Sequence, residues 1–198
     1  FSMLEWYRVR ESVDAIVQDC EEIILTAVRT LPGHEEIIHW RNQKVPVAVP
    51  FDYLSVAEAF NDNAAISIME TLNDDGTADQ GRLKKVADCA GFFVGDTDTW
   101  EDIFFRIFVE AIEPNLGFRR PLVLYDWPAP LASLASLDSV SPKIAKRFEI
   151  YVAGIELANG FEELTDPNEY LRRFNVDQSR RARLGVSVPP VDKDLLQA

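Results

Sequence analysis

Positive charge is scarce in this chain of 198 residues. Its 20 Lys and Arg side chains are outnumbered by 33 Asp and Glu, and the net charge is −13. A protein that binds tRNA or duplex nucleic acid normally presents a basic face to the phosphates, and here such a face could only be local. The composition therefore argues against tRNA as a partner.

One segment does concentrate basic side chains. The run LRRFNVDQSRRARLG, residues 171–185, carries five arginines at positions 172, 173, 180, 181 and 183. Its simplest interpretation is the solvated face of a helix, and the alternative is a patch for an anionic partner.

Cysteine and histidine are also scarce, with two of each. Cys20 and Cys89 cannot build a disulfide scaffold, so the expected location is the reducing cytoplasm. His34 and His39 have no cysteine near them in the sequence, so we expect packing or surface roles rather than metal binding. The chain has no run of about 18 apolar residues, and no membrane partner is expected.

The usual nucleotide and hydrolase signatures are absent from the sequence. It contains no GxGxxG, GxxxxGK[ST], GxSxG or HExxH motif. If a nucleotide binds, the sequence predicts that it does so without a classical phosphate loop.

What is present is the balance of an ordinary globular domain, with 47% hydrophobic and 27% charged residues. Helical periodicity occurs in 13–28 (with Ser12 as N-cap), DYLSVAEAF (52–60), DQGRLKKVADCAG (79–91), TDTWEDIFFRIFVEAIEPNLG (97–117) and DPNEYLRRFNVDQSRRARLG (166–185). Thr99 and Asp102 resemble a capping box. Residues 32–96 are predicted to form a helical insert, with its own minor core, within a single domain spanning 1–198.

Strands are predicted on both sides of this region. FSMLEWYR (1–8) alternates as a strand would, so Glu5 and Tyr7 share one face. KVPVAVP (44–50) can only be an edge strand, because its prolines exclude a central one. PLVLYDW (121–127) is an apolar strand. Strands and helices do not alternate regularly, which favours an α+β fold with an antiparallel sheet flanked by helices.

The segment FEIYVAGIELANGFEELTDP (148–167) places glutamates inside an apolar strand pattern. A two-residue turn at 153–154 would place residue 151 opposite 156 and residue 149 opposite 158, so that Glu149 and Glu156 share one face. A second turn or bulge at 159–160 would add Glu163. Carboxylates that share a face repel unless a divalent cation or an ammonium lies between them. The alternative is an edge hairpin whose glutamates simply face water.

Four segments together resemble the catalytic core of class II lysyl-tRNA synthetases. They are FSMLEWYR (1–8), PLVLYDWPAPLASLA (121–135), KRFEIYVAGIELANGFEELTDPNEYLRRF (146–174) and PPVDKDLLQA (189–198). The run ASLA at 132–135 replaces a Ser-Pro-Leu-Ala run of the synthetases, and GIELANGFEELTD is also more similar to the elongation factor P lysine ligases. The chain is therefore identified as most similar to that short paralogue.

The resemblance implies ATP-dependent activation of lysine or (R)-β-lysine as an adenylate, followed by transfer to a lysine of elongation factor P. It implies ATP and Mg²⁺ as cofactors and a homodimer for the full-length protein. Lysyl-tRNA synthetase itself and a degenerate, non-catalytic binding module are the alternatives.

The resemblance also implies roles for individual side chains. The substrate amino acid would be bound by Tyr7, Glu163, Asn159 and Glu5, ATP by Glu156 and Leu157, and Mg²⁺ by Glu149 and Glu156. Motif 1, most of motif 2 and motif 3 have no counterpart in the chain. The two arginines that bind ATP in the family belong to motifs 2 and 3, and they are therefore also missing. We therefore expect an interior part of a ligase, inactive by itself.

Overall fold

The structure is a computed structural model that describes residues 2–33, 35–192 and 194. Its helices are α1 (Val13–Thr30), α2 (Val56–Ala64), α3 (Gln80–Cys89), α4 (Trp100–Ile107) and α5 (Pro167–Arg183). Its strands are β1 (Ile37–Trp40), β2 (Gln43–Pro46), β3 (Asp52–Ser55), β4 (Leu122–Pro128), β5 (Ile144–Val152) and β6 (Ile155–Phe161). A π-helical turn, Phe108–Ile112, continues α4. In the described part of the chain, no helix is both long enough and apolar enough to cross a membrane.

The main sheet has four strands in the order β3-β4-β5-β6. β5 pairs antiparallel with both β4 and β6, whereas β3 pairs parallel with β4. Strands β1 and β2 form a separate antiparallel hairpin, and the edge position expected for residues 44–50 is confirmed for β2. This mixed, mostly antiparallel sheet with flanking helices confirms the predicted α+β class.

Helices cover both faces of the sheet. On one face, Cys20 of α1 belongs to a buried cluster with Phe148 and Ile150 of β5. On the other face, Phe104 of α4 and Tyr151 of β5 share a larger cluster that also contains core residues of α2 and α3. Because side chains alternate along a strand, successive residues of β5 supply the two cores in turn.

Helix α1 confirms the sequence periodicity. It begins after Ser12, whose backbone is extended although its side chain makes no capping hydrogen bond, and it ends at Leu31. Cys20 is buried, as its position on the apolar stripe predicts. The Glu21 carboxylate accepts a hydrogen bond of 2.7 Å from the Phe51 amide, which ties α1 to the start of β3.

Helix α4 carries the aromatic core. The predicted capping box is confirmed, because Thr99 accepts from the Asp102 amide and the Asp102 carboxylate accepts from the Thr99 amide. The Phe104 ring lies 4.7 Å from Phe60 of α2 and 5.2 Å from Trp100. These stacked rings join α4 to α2 in the core above the sheet.

The segment at 52–60 differs from the helix predicted for it. Asp52–Ser55 is strand β3, and the helix starts only at Val56 because Ser55 and Glu58 form a capping box. The helical residues of 56–89 pack in the same core as α4 and β4 rather than in a core of their own. The domain boundary at 32–96 stays a prediction.

The strand predicted at 1–8 is not present over the described residues 2–8. Met3, Leu4 and Tyr7 are all exposed. Alternation is a property of the segment alone, whereas a strand also needs a neighbouring backbone to bind, and none in the described part of the chain pairs with it. Trp6 is the anchored residue, because its indole donates a 3.1 Å hydrogen bond to Asp19 of α1.

The capping box of α4 provides a test of how this core is held. Thr99→Ala removes the side-chain oxygen that accepts from the Asp102 amide, and we expect it to lower the free energy of unfolding by about 1 kcal/mol. Thr97→Ala is the control, since Thr97 is exposed and lies outside the box. Urea denaturation measures both, and equal stability losses would contradict the capping role.

Candidate functional site on the β5–β6 hairpin

The hairpin turns where the sequence predicts. Ala153 and Gly154 both have positive φ, 50° and 75°, as a type I′ turn requires. Val152 pairs with Ile155, and Tyr151 then pairs with Glu156. The predicted opposition of residues 151 and 156 is confirmed.

A β-bulge at Leu157 changes the register beyond this point. Glu149 lies opposite Asn159, whereas a simple hairpin predicts Ala158 there. That prediction was wrong by one residue, because a bulge adds an unpaired residue to one strand. The bulge also lies before the 159–160 position predicted for it. As a result, Asn159 comes to the face of Glu149, and Ala158 packs against the α1 cluster on the opposite face.

Glu149 is buried within this face, with an exposed fraction of 3%. Arg147, two residues away on the same strand, forms an ion pair with Oε1, and the Tyr151 hydroxyl donates to Oε2 at 2.5 Å. Arg147 also donates to the Leu131 carbonyl at 3.0 Å and lies 4.5 Å from the Trp127 ring centroid. Burial raises the pKa of Glu149, and Tyr151 and Arg147 oppose that rise.

Sequence reasoning missed Arg147 and Tyr151 as partners of Glu149. The signal was present, because residues two apart in a strand point to the same face. It was overlooked because an acidic pair suggested a cation from solution, whereas a guanidinium of the same strand already fills that role.

Glu156, by contrast, lies at the exposed edge of the face. The Asn159 side-chain amide donates to its Oε1 at 2.8 Å, and Leu157 is 48% exposed in the bulge.

Glu113, from the turn after α4, is a third carboxylate that sequence reasoning missed. Burial, followed by the charge of Glu156, raises the pKa of Glu113. In the described residues, no group of three His, Cys, Asp or Glu is arranged to hold a metal ion.

Of the four predicted substrate residues, Asn159 bonds to Glu156, whereas Tyr7, Glu5 and Glu163 lie beyond the other end of β6. The Tyr170 hydroxyl donates to Glu163 Oε1 at 2.8 Å, and the Tyr7 hydroxyl donates to Glu5 Oε1 at 3.2 Å. The hydrogen bond to Glu5 is the main cause that raises the pKa of Tyr7, and the charge of Glu163 adds to it. Tyr7, Glu5 and Glu163 therefore come together, and Tyr170 joins them.

Glu162 points away from this group. Its carboxylate forms an ion pair with Lys146 at 3.0 Å and accepts from the Ser136 hydroxyl at 3.0 Å. Lys146 of β5 therefore provides a cation directly beside Glu162, whose side chain stays 42% exposed.

The basic run lies along α5, a helix with no buried residue, and its Arg173 is directed inward to the Ser133 and Ala135 carbonyls. Arg172 and Arg173 form ion pairs with Glu169 at 2.6 and 2.8 Å, and Arg181 pairs with Asp177 at 2.7 Å. The hydrogen bond from Arg172 is the main cause that lowers the pKa of Glu169 to about 2. Three of the five arginines are therefore paired within the helix, by two carboxylates, which favours the solvated-face interpretation. His39 of β1 is exposed, and His34 lies outside the described residues.

The Glu149 contacts predict an asymmetry between the two glutamates of the face. Glu149→Gln leaves the Arg147 guanidinium without its counter-ion, so we expect the free energy of unfolding to fall by about 2 kcal/mol. Glu156→Gln is the matched control, since Glu156 is exposed, and its effect should stay within about 0.5 kcal/mol. Urea denaturation measures the free energy of unfolding of both variants, and similar losses of stability would refute the burial argument.

The comparisons with known proteins agree with this architecture. The family model of class II tRNA synthetases (D, K and N) matches residues 1–198. Elongation factor P–(R)-β-lysine ligases from Pectobacterium atrosepticum, Erwinia tasmaniensis and Klebsiella pneumoniae are each 33% identical to the chain over 202 aligned positions. Each alignment covers 100% of this chain and 54% of the relative, so the chain spans about half the length of the curated relatives it matches.

The predicted resemblance to this family and to the elongation factor P lysine ligases is thus confirmed. With an α+β fold, a match along its whole length and ligases of this type among its relatives, the chain belongs to the class II tRNA synthetase family that comprises the aspartate, lysine and asparagine enzymes.

Proposed function

We propose that the natural polypeptide carrying this chain activates lysine or (R)-β-lysine with ATP and transfers the acyl group to a lysine of elongation factor P. The observation that carries this proposal is the hairpin itself, which gathers Glu149, Glu156 and Asn159 on one face, with Glu163 two residues after the end of β6. The names of the curated relatives support the same activity.

The group at the end of β6 suits a cationic substrate. Glu163 is exposed, and its Oε1 accepts from Tyr170, which leaves Oε2 for an ammonium group. Tyr7 and Glu5 lie beside it as a second hydroxyl–carboxylate pair. A lysine or β-lysine substrate carries two ammonium groups, and carboxylates are the side chains that pair with them.

The edge of the hairpin is the proposed position of ATP and its Mg²⁺. Glu156 fits a hard cation, because its carboxylate is exposed and carboxylate oxygens are the ligands that Mg²⁺ prefers. Glu149 is less accessible to the ion, because it is only 3% exposed and both of its oxygens already accept hydrogen bonds within the protein. Leu157 would present an exposed apolar side chain to the nucleotide. The ion would screen the phosphate charges.

The proposed chemistry needs little from the protein beyond position and charge. The ionised carboxylate of the amino acid attacks the α-phosphorus of ATP, pyrophosphate leaves, and an aminoacyl-adenylate results. The acceptor lysine amine then attacks the acyl carbon, and AMP leaves. No general base is required for the first step, since the attacking carboxylate already carries its negative charge.

Lysyl-tRNA synthetase is the second candidate, because the matched family includes the lysine enzymes. The net charge of −13 favours the first candidate, since tRNA binding calls for a basic surface.

We further propose a cytoplasmic location, consistent with the free thiols of Cys20 and Cys89. The homodimer stays a prediction.

Pyrophosphate exchange tests the proposal. The natural polypeptide is incubated with ATP, Mg²⁺ and labelled pyrophosphate, with lysine in one series and (R)-β-lysine in another. We expect exchange with at least one isomer, and acyl transfer to elongation factor P but not to tRNA. Transfer to tRNA alone would select the synthetase, and no exchange with either amino acid would refute both enzyme assignments.

Glu163 gives the sharpest single prediction. Glu163→Gln removes the charge that pairs with the substrate ammonium, so KM for the amino acid should rise by about 10- to 100-fold while KM for ATP changes by less than about twofold. Glu162→Gln is the matched control, because Glu162 is the adjacent residue and its carboxylate pairs with Lys146 rather than with the substrate. Equal increases in the two KM values of Glu163→Gln would contradict the assigned role.

A further inference from the structure

We infer that Tyr170 is a positioning residue for the amino-acid substrate, because its phenol holds Glu163 in the orientation that receives an ammonium group. This inference rests on the proposed function above and adds a residue that the family resemblance did not assign. Tyr170 does not belong to the hairpin. It lies in the first turn of α5, one helical turn before Phe174.

The start of α5 fixes the position of the Tyr170 backbone. The Asp166 side chain caps the helix by accepting from the Asn168 amide at 2.9 Å, and the Asp166 carbonyl accepts from the Tyr170 amide at 3.0 Å. The Tyr170 ring lies 5.8 Å from the Phe174 ring. The phenol therefore extends from a capped helix end and a ring contact rather than from a loop.

Glu163 and α5 are attached to the same short segment of backbone. Glu163 forms an isolated antiparallel bridge with Ala135, and the Leu164 amide donates to the Leu134 carbonyl at 3.0 Å. From α5, Arg173 donates to the carbonyls of Ser133 and Ala135 at 2.7 and 2.9 Å. Because Glu163 is attached to residues 133–135 through its backbone and α5 is attached to them through the Arg173 side chain, both partners of the Tyr170–Glu163 bond are held from one segment.

The direction of the hydrogen bond is also determined. Burial, followed by the bond to Glu163, raises the pKa of Tyr170 to about 12, so the phenol is protonated at neutral pH and donates. The distance from the hydroxyl to Glu163 Oε1 is 2.8 Å. In the described part of the chain, Tyr170 is the side chain that donates to this carboxylate.

The consequence is a carboxylate that is oriented before substrate arrives. Glu163 is exposed, and an exposed glutamate that is not held would sample several rotamers and lose that freedom on binding. With Oε1 bound to Tyr170, Oε2 is the oxygen left for an ammonium group, and Tyr7 lies near enough for the Glu163 charge to contribute to the raised pKa of Tyr7. Tyr170 thus acts through Glu163 and on the amino acid, not on ATP.

The test uses the natural polypeptide and the variant Tyr170→Phe, which keeps the ring and removes only the hydroxyl. We expect KM for the amino acid in pyrophosphate exchange to rise by about tenfold, with KM for ATP unchanged within about twofold. The control is Tyr53→Phe, which removes the hydroxyl of a partly exposed tyrosine on β3, at the opposite edge of the sheet from β6, and it should leave both KM values unchanged.

A double-mutant cycle tests whether Tyr170 works through Glu163. The variant carrying both Tyr170→Phe and Glu163→Gln should have the same amino-acid KM as Glu163→Gln alone, since the hydroxyl then has no carboxylate to orient. Additive increases in KM would overturn the inference, as would a Tyr170→Phe variant that matches the wild type while Glu163→Gln loses affinity. Absence of exchange in the wild type would refute the proposed function instead, so the two failures are distinct.

Discussion

The carboxylate of Glu149 is the constraint on which the arrangement of the sheet depends. It lies at 3% exposure in the centre of β5, where an unpaired charge would be very costly. Arg147 and Tyr151, which lie on the same face of β5, offset this cost by donating hydrogen bonds to the Glu149 carboxylate. Arg147 is held in turn by the Leu131 carbonyl and the Trp127 ring, so one ion pair connects β5, the end of β4 and the aromatic core beside α4.

Around this buried centre the hairpin separates two kinds of carboxylate. Two have a cationic partner within the protein: Glu149, buried in the face, pairs with Arg147, and Glu162, partly exposed just after β6, pairs with Lys146. Those at its margins, Glu156 and Glu163, are exposed and each accepts one hydrogen bond from a neutral side chain. Only the second kind retains charge that a substrate or an ion can use. The proposed site therefore lies along the rim of the hairpin, with the buried pair as its support.

Residues 133–135 tie the Glu163 end of this rim and helix α5 to the rest of the molecule. Glu163 pairs with their backbone, and Arg173 of α5 donates to two of their carbonyls. Ser133 adopts a positive φ of 52°, a conformation that brings the chain around toward β6. The segment also carries the sequence by which the ligase paralogue was recognised. Its physical role, on these contacts, is to fix the distance between α5 and the end of β6.

Local patterns were enough to predict helices α1, α3 and α4, the turn at Ala153-Gly154 and the gathering of acids on one face, because periodicity, caps and turn residues act within a few neighbours. The bulge at Leu157, the partners of Glu149 and the absence of a strand at 2–8 needed the tertiary structure. Each depends on which backbone or side chain lies across from a segment, and that is decided by packing between parts of the chain distant in sequence.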